Sequence, residues 1–370
     1  MKLFEIPMLA MSLLGFGLFS GLDAPPAHAG FTFGELARFG PPDIGNAVVE
    51  CLSYDGLEMY IVALDRPGGQ GGWDLWVSKR ATTDRAWGPM ENLGPAINTP
   101  AVDDAPCISA DGLTLYFASR YRPGGYGHWD ICKATRATKD DPWGQAVILP
   151  PPVNWTSTGG NAAHPWISPD GLEIYFNSLR PPGYGQWDIW VARRATEDDP
   201  WGDPVNLGPG VNSPYYDVFP SLSADGLLLL FCDSPWGDAP RPGGYGNGDL
   251  WMARRASLSV PWQAAVNLGP MVNSPACEAV PRISPDGHTF YFWSDEAGGT
   301  NWQAPIIPIV DFNGDGKVNL VDLVMLIDNW GTNTTLCDIG PMPWGDGKVD
   351  IEDLKVFTAE WEKENPPAQP

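Results

Sequence analysis

Apolar and polar positions alternate along this chain in short runs, and glycine, proline or aspartate turns separate the runs. In HPWISPDGLEIYFNSLRPPGYGQWDIWVARRATEDDPWGDPVNLG, from His164 to Gly208, the alternation predicts four strands. Pro165 to Ser168 is a short strand ending in a Pro-Asp-Gly turn. Leu172 to Ser178 is the second strand, Trp187 to Arg193 the third, and the fourth ends at Leu207. A Gly/Pro/Tyr loop, Arg180–Gln186, joins the second strand to the third. A polar turn through Asp198, Asp199 and Pro200 then leads into Trp201-Gly202. The unit recurs: Asp55-Gly56, Asp111-Gly112, Asp170-Gly171, Asp225-Gly226 and Asp286-Gly287 are turns spaced roughly 55 to 61 residues apart. One four-stranded antiparallel sheet cannot bury both of its faces. Repeated sheets bury them against each other as propeller blades, with Trp side chains filling the contacts.

The chain start reads as an outer strand without a blade of its own, because Phe33-Gly34 and Phe39-Gly40-Pro41 echo Trp87-Gly88 and Leu93-Gly94-Pro95. The last unit, Ile283 to Val310, lacks that strand, so the N-terminal strand can complete it and leave no free edge. The expectation is an all-β, five-bladed β-propeller over residues 30–308 with four antiparallel strands per blade. The SPDG turn, a strand such as LEIYF, then Ser-x-Arg and a later Asp-Ile-Trp resemble the WD-like repeats of TolB-type propellers, over about residues 40–305. The resemblance implies a fold; propellers host binding, scaffolding and catalysis alike.

At Asp311 the pattern changes. DFNGDGKVNLVD sets Asp311, Asn313, Asp315, the carbonyl of Lys317, Asn319 and Asp322 at the ligand spacing of an EF-hand loop, with Gly316 at the sharp turn. A helix follows, Leu320 to Trp330, with Leu323, Leu326 and Ile327 on one face and Gly331 as its stop. GDGKVDIEDL, Gly345–Leu354, repeats the pattern with Asp346, Lys348, Asp350 and Asp353. Its first and third ligand places fall on Met342 and Trp344, which cannot serve; Asp338 can supply an oxygen if IGPMPWG bulges outward. Two tandem calcium loop–helix units, residues 309–362, resemble a dockerin module. That resemblance implies calcium as cofactor and a tether to a cohesin-like partner, mostly on polysaccharide-degrading enzymes or binding proteins. Where that family carries small hydroxyl residues, this chain has Leu320-Val321 and Ile351-Glu352. The junction Pro305–Val310 is short and apolar, which favours a module docked on the propeller; residues 363–370 read as a frayed tail.

With 45 acidic and 22 basic residues the formal charge is −23, which argues against nucleic acid and anionic membrane surfaces as partners. Only 18% of residues are charged and 18 are Trp, so there is ample apolar surface for a core. Lys2, the apolar run Ile6–Leu22 and Ala27-His28-Ala29 read as a signal peptide, residues 1–29. The expected location is therefore secreted, periplasmic or cell-surface, with no membrane span after cleavage. Six cysteines form no CxxC pair; disulfides and buried free thiols both stay open.

Two loop families should share one face. Leu93–Asp104, Leu207–Asp217 and Leu268–Glu278 lead into inner strands, while Arg122–Gly127, Arg180–Gly185 and Arg241–Gly246 join the second strands to the third. That face would carry His128 and, as candidate ligand-binding residues, Tyr126, Tyr184, Tyr245, Tyr215, Tyr216, Trp155 and His164. Asp103, Asp217 and Glu278 stand three residues before the inner-strand proline, where the third unit has Ala162. Blade equivalence puts these acids around the channel mouth, either as a catalytic or cation-binding cluster or as solvated acids that keep a channel wet. Arg66/Asp74, Arg122/Asp130, Arg180/Asp188 and Arg241/Asp249 recur at one spacing, as expected of bidentate pairs that pin loops. The favoured reading is an exported non-catalytic propeller that binds a glycan or protein in polysaccharide utilisation, with a cohesin-like or envelope protein as partner. The alternatives are a glycoside hydrolase using the mouth acids and a purely structural assembly protein.

Overall fold

The computed structural model describes residues 30–156, 160–233, 240–334, 336–341 and 344–364; the expected signal segment, Met342 and most of the expected tail lie outside them. Five antiparallel sheets form a five-bladed propeller. Blade 1 is Val48–Leu52, Glu58–Leu64, Trp73–Lys79 and Glu91–Asn92. Blade 2 is Val102–Ile108, Thr114–Arg120, Trp129–Thr135 and Val147–Ile148. Blade 3 is Ala162–Ile167, Glu173–Ser178, Asp188–Arg193 and Val205–Asn206. Blade 4 is Asp217–Leu222, Leu228–Asp233, Leu250–Arg254 and Val266–Asn267. Blade 5 combines Glu278–Ile283, Thr289–Ser294 and Thr300–Pro308 with the N-terminal strands Phe31–Phe33 and Ala37–Arg38.

The ring therefore closes through the chain start. Phe31 pairs with Pro308 and Phe33 with Ile306, while Ala37 pairs with Gln303. Asn301 ties blade 5 to blade 1: its Oδ1 accepts from Val49 N at 2.8 Å and its Nδ2 donates to Ala47 O at 2.7 Å. Asn98, Asn154, Asn212 and Asn273 bridge the third strands of blades 1 to 4 in the same two-handed way. Each thereby satisfies backbone groups that would otherwise be buried without partners.

The recurring Ser-x-Asp-Gly turn has a local cause. Ser168 Oγ donates to Asp170 Oδ1, which also accepts from Leu172 N, and Gly171 takes φ 71°, a conformation that a Cβ resists. Arg194 then donates to Gly171 O and lies over the Trp201 ring, 4.3 Å from its centroid. Arg80/Trp87, Arg136/Trp143 and Arg255/Trp262 repeat that contact. The polar turn before each Trp-Gly or Trp-Gln thus exists to seat a cation on a ring.

Two helices, α1 (Leu320–Asp328) and α2 (Ile351–Glu364), follow the propeller. They close over their own core of Phe312, Val318, Leu326, Cys337, Ile339, Val349 and Phe357. Among the described residues no helix is long and apolar enough to cross a membrane.

Candidate functional site

Every inner strand carries a register shift at the same place, which the sequence alternation does not show. In blades 2 to 5 the residue there has a left-handed backbone: Ala105 (φ 52°), His164 (50°), Phe219 (54°) and Val280 (57°), each followed by proline. Glu50, followed by Cys51, stands between the shifted pairs of blade 1. Side chains other than glycine hold this conformation at a cost of about 1–3 kcal/mol, and such strain gathers at functional sites. Here the five blades cease to resemble each other, with an acid, a small residue, a histidine, an aromatic and a valine.

Glu50, His164, Phe219 and Val280 line a cavity of about 590 Å³ at the hub, together with Asp104. Aromatic rings form its wall. Trp73, Trp129 and Trp187 occupy one equivalent place, directly before the aspartate of the third strand; blade 4 has Gly248 there. Trp293 and Tyr216 complete the wall, and Arg120 joins from the end of blade 2's second strand.

The polar residues of this cavity differ in charge state. Burial pushes the Glu50 carboxyl up to about 8, against the opposing pull of Arg282, whose Nη2 lies 3.1 Å from Glu50 Oε2. Burial likewise raises Asp104 to about 6. His164 is pulled down to about 3 by burial, so it is a neutral imidazole at working pH. Its Nδ1 lies 2.6 Å from Asn177 Oδ1, its ring stacks on Phe219 at 3.8 Å, and its Nε2 lies 4.0 Å from Asp104 Oδ2. An aromatic wall around convergent hydrogen-bonding groups suits a polar ligand with flat apolar faces.

The sequence-predicted site residues distribute differently. Tyr216 and His164 line the cavity; Tyr126, Tyr184, Tyr245, Tyr215 and Trp155 do not. Tyr126, Tyr184 and Tyr245 are exposed on their loops, and Tyr215 and Trp155 are half-buried. Asp103, Asp217 and Glu278 are not solvated mouth acids: they are buried and fold the preceding loop back on itself. Asp103 accepts from Thr99 N and Oγ1 and pairs with Arg122 at 3.2 Å. Asp217 accepts from Ser213 N and Oγ and pairs with Arg241 at 3.3 Å; burial pushes it up to about 7. Glu278 accepts from Ser274 N and from the hydroxyls of Ser274 and Ser294. The repeated Arg and Asp also pin loops separately and not as mutual pairs. Asp130, Asp188 and Asp249 accept backbone amides of the Tyr-Gly loops, while Arg122, Arg180 and Arg241 bond carbonyls of the loops before the inner strands. The Trp-Asp dipeptide and the residue before each inner-strand proline are the signals that lead to the cavity.

In the first C-terminal loop the expected ligands accept hydrogen bonds from the loop's own backbone amides. Asp311 Oδ1 accepts from Gly314 N and Asp315 N, and its Oδ2 from Gly316 N at 2.7 Å. Asp315 and Asn313 brace following amides, and Asn319 caps α1. Asp322, fully buried, accepts from Phe312 N, Asn313 N and Asn319 N. Three carboxylates, two side-chain amides and the Lys317 carbonyl give this loop only oxygen donors, the donor type that a hard cation takes. Among the described residues, those of this loop included, no group of three or more His, Cys, Asp or Glu side chains is placed to hold a metal ion.

The second loop reproduces the amide pattern with Asp338 in the first place. Asp338 Oδ1 accepts from Asp346 N and Oδ2 from Gly347 N; Asp353 accepts from Ile339 N, Gly340 N and Asp350 N. Trp344 is withdrawn into the propeller. Trp344 is 1% exposed, lies edge-on to Phe31 at 6.5 Å, and donates from Nε1 to Asp225 Oδ2 at 2.8 Å. Arg254 of blade 4 stands 4.0 Å from Asp338 Oδ2, and Lys348 Nζ 3.3 Å from Asp350 Oδ2. This loop therefore offers Asp338, Asp346, Asp350, Asp353 and the Lys348 carbonyl, one donor fewer than the first, beside two cations. Leu320, Val321, Val324 and Ile327 of α1 are exposed, as is Ile351 of α2. Ile327 thus faces outward, against the sequence expectation, because Leu326 takes the inward place. All six cysteines are free thiols, and those of Cys51 and Cys107 meet between blades 1 and 2.

No family model and no curated protein matches the chain. Solved structures are similar to it over part of its length. TolB from Acinetobacter baumannii is 14% identical with a TM-score of 0.44 over 70% of this chain, which spans 54% of that protein. A thermostable family-43 glycoside hydrolase is 14% identical with a TM-score of 0.46, over 76% of this chain and 92% of the other. An α-L-arabinofuranosidase from Lactobacillus brevis is 13% identical with a TM-score of 0.46, over 70% and 89%.

Proposed function

We propose that this protein binds a saccharide in the central aromatic funnel without cleaving it, and that its C-terminal calcium module is a docked clasp and tether. The observation that supports this reading is the hub cavity, where Trp73, Trp129, Trp187, Trp293 and Tyr216 surround Glu50, Asp104 and His164. Sugar rings carry apolar faces that stack on indoles and hydroxyls that bond carboxyl and imidazole groups. Calorimetric titration with an oligosaccharide panel tests it. Trp129→Ala should weaken the best ligand about tenfold, the loss of one stacking contact of about 1.4 kcal/mol. Unchanged affinity in that variant would sink the reading.

Asp311, Asn313, Asp315, Asn319, Asp322 and the Lys317 carbonyl would hold calcium in the first loop, where its charge would offset the repulsion between the carboxylates and help to order α1. The exposed apolar residues of α1 support a protein partner, cohesin-like or of the envelope. One observation favours a hydrolase as a second reading: Glu50 and Asp104 share the cavity with carboxyls raised to about 8 and about 6, the range in which acids exchange protons at neutral pH. Release of reducing ends that Glu50→Gln abolishes would decide for it.

A further inference from the structure

The blade repeat assigns most of the funnel wall, and Arg120 is where it breaks. Blade 1 has Leu64 and blade 3 has Leu179 at the place Arg120 takes in blade 2. A cation in a chain of charge −23 stands here at the rim of an aromatic cavity. Its guanidinium is spread over two rings, 5.0 Å from the Tyr121 centroid and 5.9 Å from that of Trp129. Among the described residues no carboxylate lies within ion-pair distance of it. Stacking fixes the plane of the guanidinium and leaves its N–H edges free for a planar acceptor.

Depth separates Arg120 from the acids of the same cavity. Arg120 pairs across the strands with Val102, whereas Asp104 pairs with Ala118, two residue pairs further towards the bulge at the hub. Glu50 lies at that bulge in blade 1 with Arg282 beside it. The deep groups, Asp104, Glu50 and neutral His164, suit hydroxyls; the rim suits an anion. We propose that the funnel's ligand is an acidic saccharide, with a uronate carboxylate held by Arg120 against Trp129 and a hydroxyl-rich ring deeper inside. This rests on the saccharide reading above and adds the charge and orientation of the ligand.

The test compares oligouronates (galacturonate, glucuronate and mannuronate series) with their methyl esters, each titrated into the full chain. The esters keep every ring and hydroxyl and lose only the charge. For at least one series the acid should bind at least tenfold tighter than its ester, a preference that shrinks with added salt. Arg120→Leu, the residue of blades 1 and 3, should abolish the preference of acid over ester; Arg120→Lys should restore part of it. Equal binding of acid and ester, or a preference that survives Arg120→Leu, overturns the inference and leaves saccharide binding standing. If the folded protein binds neither these nor neutral oligosaccharides, the saccharide reading fails with it.

Discussion

Trp344 decides whether the C-terminal module is part of the propeller or a swinging appendage. Its indole is 1% exposed, meets Phe31 of the ring-closing strand and donates to Asp225 of a blade 4 turn. A buried Trp removes about 150–250 Å² from water, worth about 4–6 kcal/mol at 25 cal/mol per Å². Truncation to alanine in cores costs about 3–5 kcal/mol, and loss of the bond to Asp225 is contained in that figure. Trp344→Ala should therefore weaken docking by about 4 kcal/mol, roughly a thousandfold. In scanning calorimetry with calcium the native chain should unfold in one cooperative transition, because clasp and ring share a core. The variant should show a separate, chelator-sensitive transition for the module and a lower midpoint for the propeller. Trp344→Phe keeps most of the contact area and should retain the single transition. One unchanged transition in Trp344→Ala, with a midpoint within about 1 °C of the native chain, would refute the assignment of Trp344 as the anchor.

Three further outcomes follow from particular groups. Burial raises the carboxyls of Glu50, Asp104 and Asp217 to about 8, 6 and 7, so the folded chain holds protons that the unfolded chain releases near pH 4. These groups therefore favour the fold most below about pH 4 and lose that contribution progressively towards pH 8. The thermal midpoint should fall from pH 5 to pH 8, and Glu50→Gln should flatten the slope; a midpoint rising over that range contradicts it. At pH 8, where Asp217 is ionised, Asp217→Asn removes the buried carboxylate that holds Ser213 and Arg241 and should cost about 3 kcal/mol by chemical denaturation without altering saccharide affinity. A loss of affinity with stability intact would instead return Asp217 to the site. Calcium calorimetry should show the first loop filling before the second. Asp311→Ala or Asp322→Ala should remove the tighter event and Asp338→Asn the weaker one, and the reverse order would overturn the donor count.

Much of the architecture was legible because repetition multiplies weak signals. A single Asp-Gly turn predicts little, but five of them at similar spacing predict blades, and the echo of Trp87-Gly88 in Phe33-Gly34 points to the closing strand. The hub was not legible. Adjacent residues on a strand face opposite sides, so whether Asp103 or Asp104 faces the cavity depends on register, and the bulge before each inner-strand proline resets it. That is why Asp103, Asp217 and Glu278 look like mouth acids in the sequence and are loop staples in the fold. The funnel tryptophans were hidden for another reason: a repeated Trp serves equally as filler between blades, and only closure of the ring shows that Trp73, Trp129 and Trp187 share one cavity. In the second loop the sequence excluded Trp344 as a ligand, while its role as an anchor depends on blade 4 lying beneath it.

The most direct measurement is a crystal structure of the full chain with the tightest-binding oligosaccharide from the titrations. A sugar ring should lie against Trp129 or Trp187, with its hydroxyls on Asp104, Glu50 or His164. Sugar density on the outer Tyr126, Tyr184 and Tyr245 loops, with the hub cavity filled only by water, would contradict it.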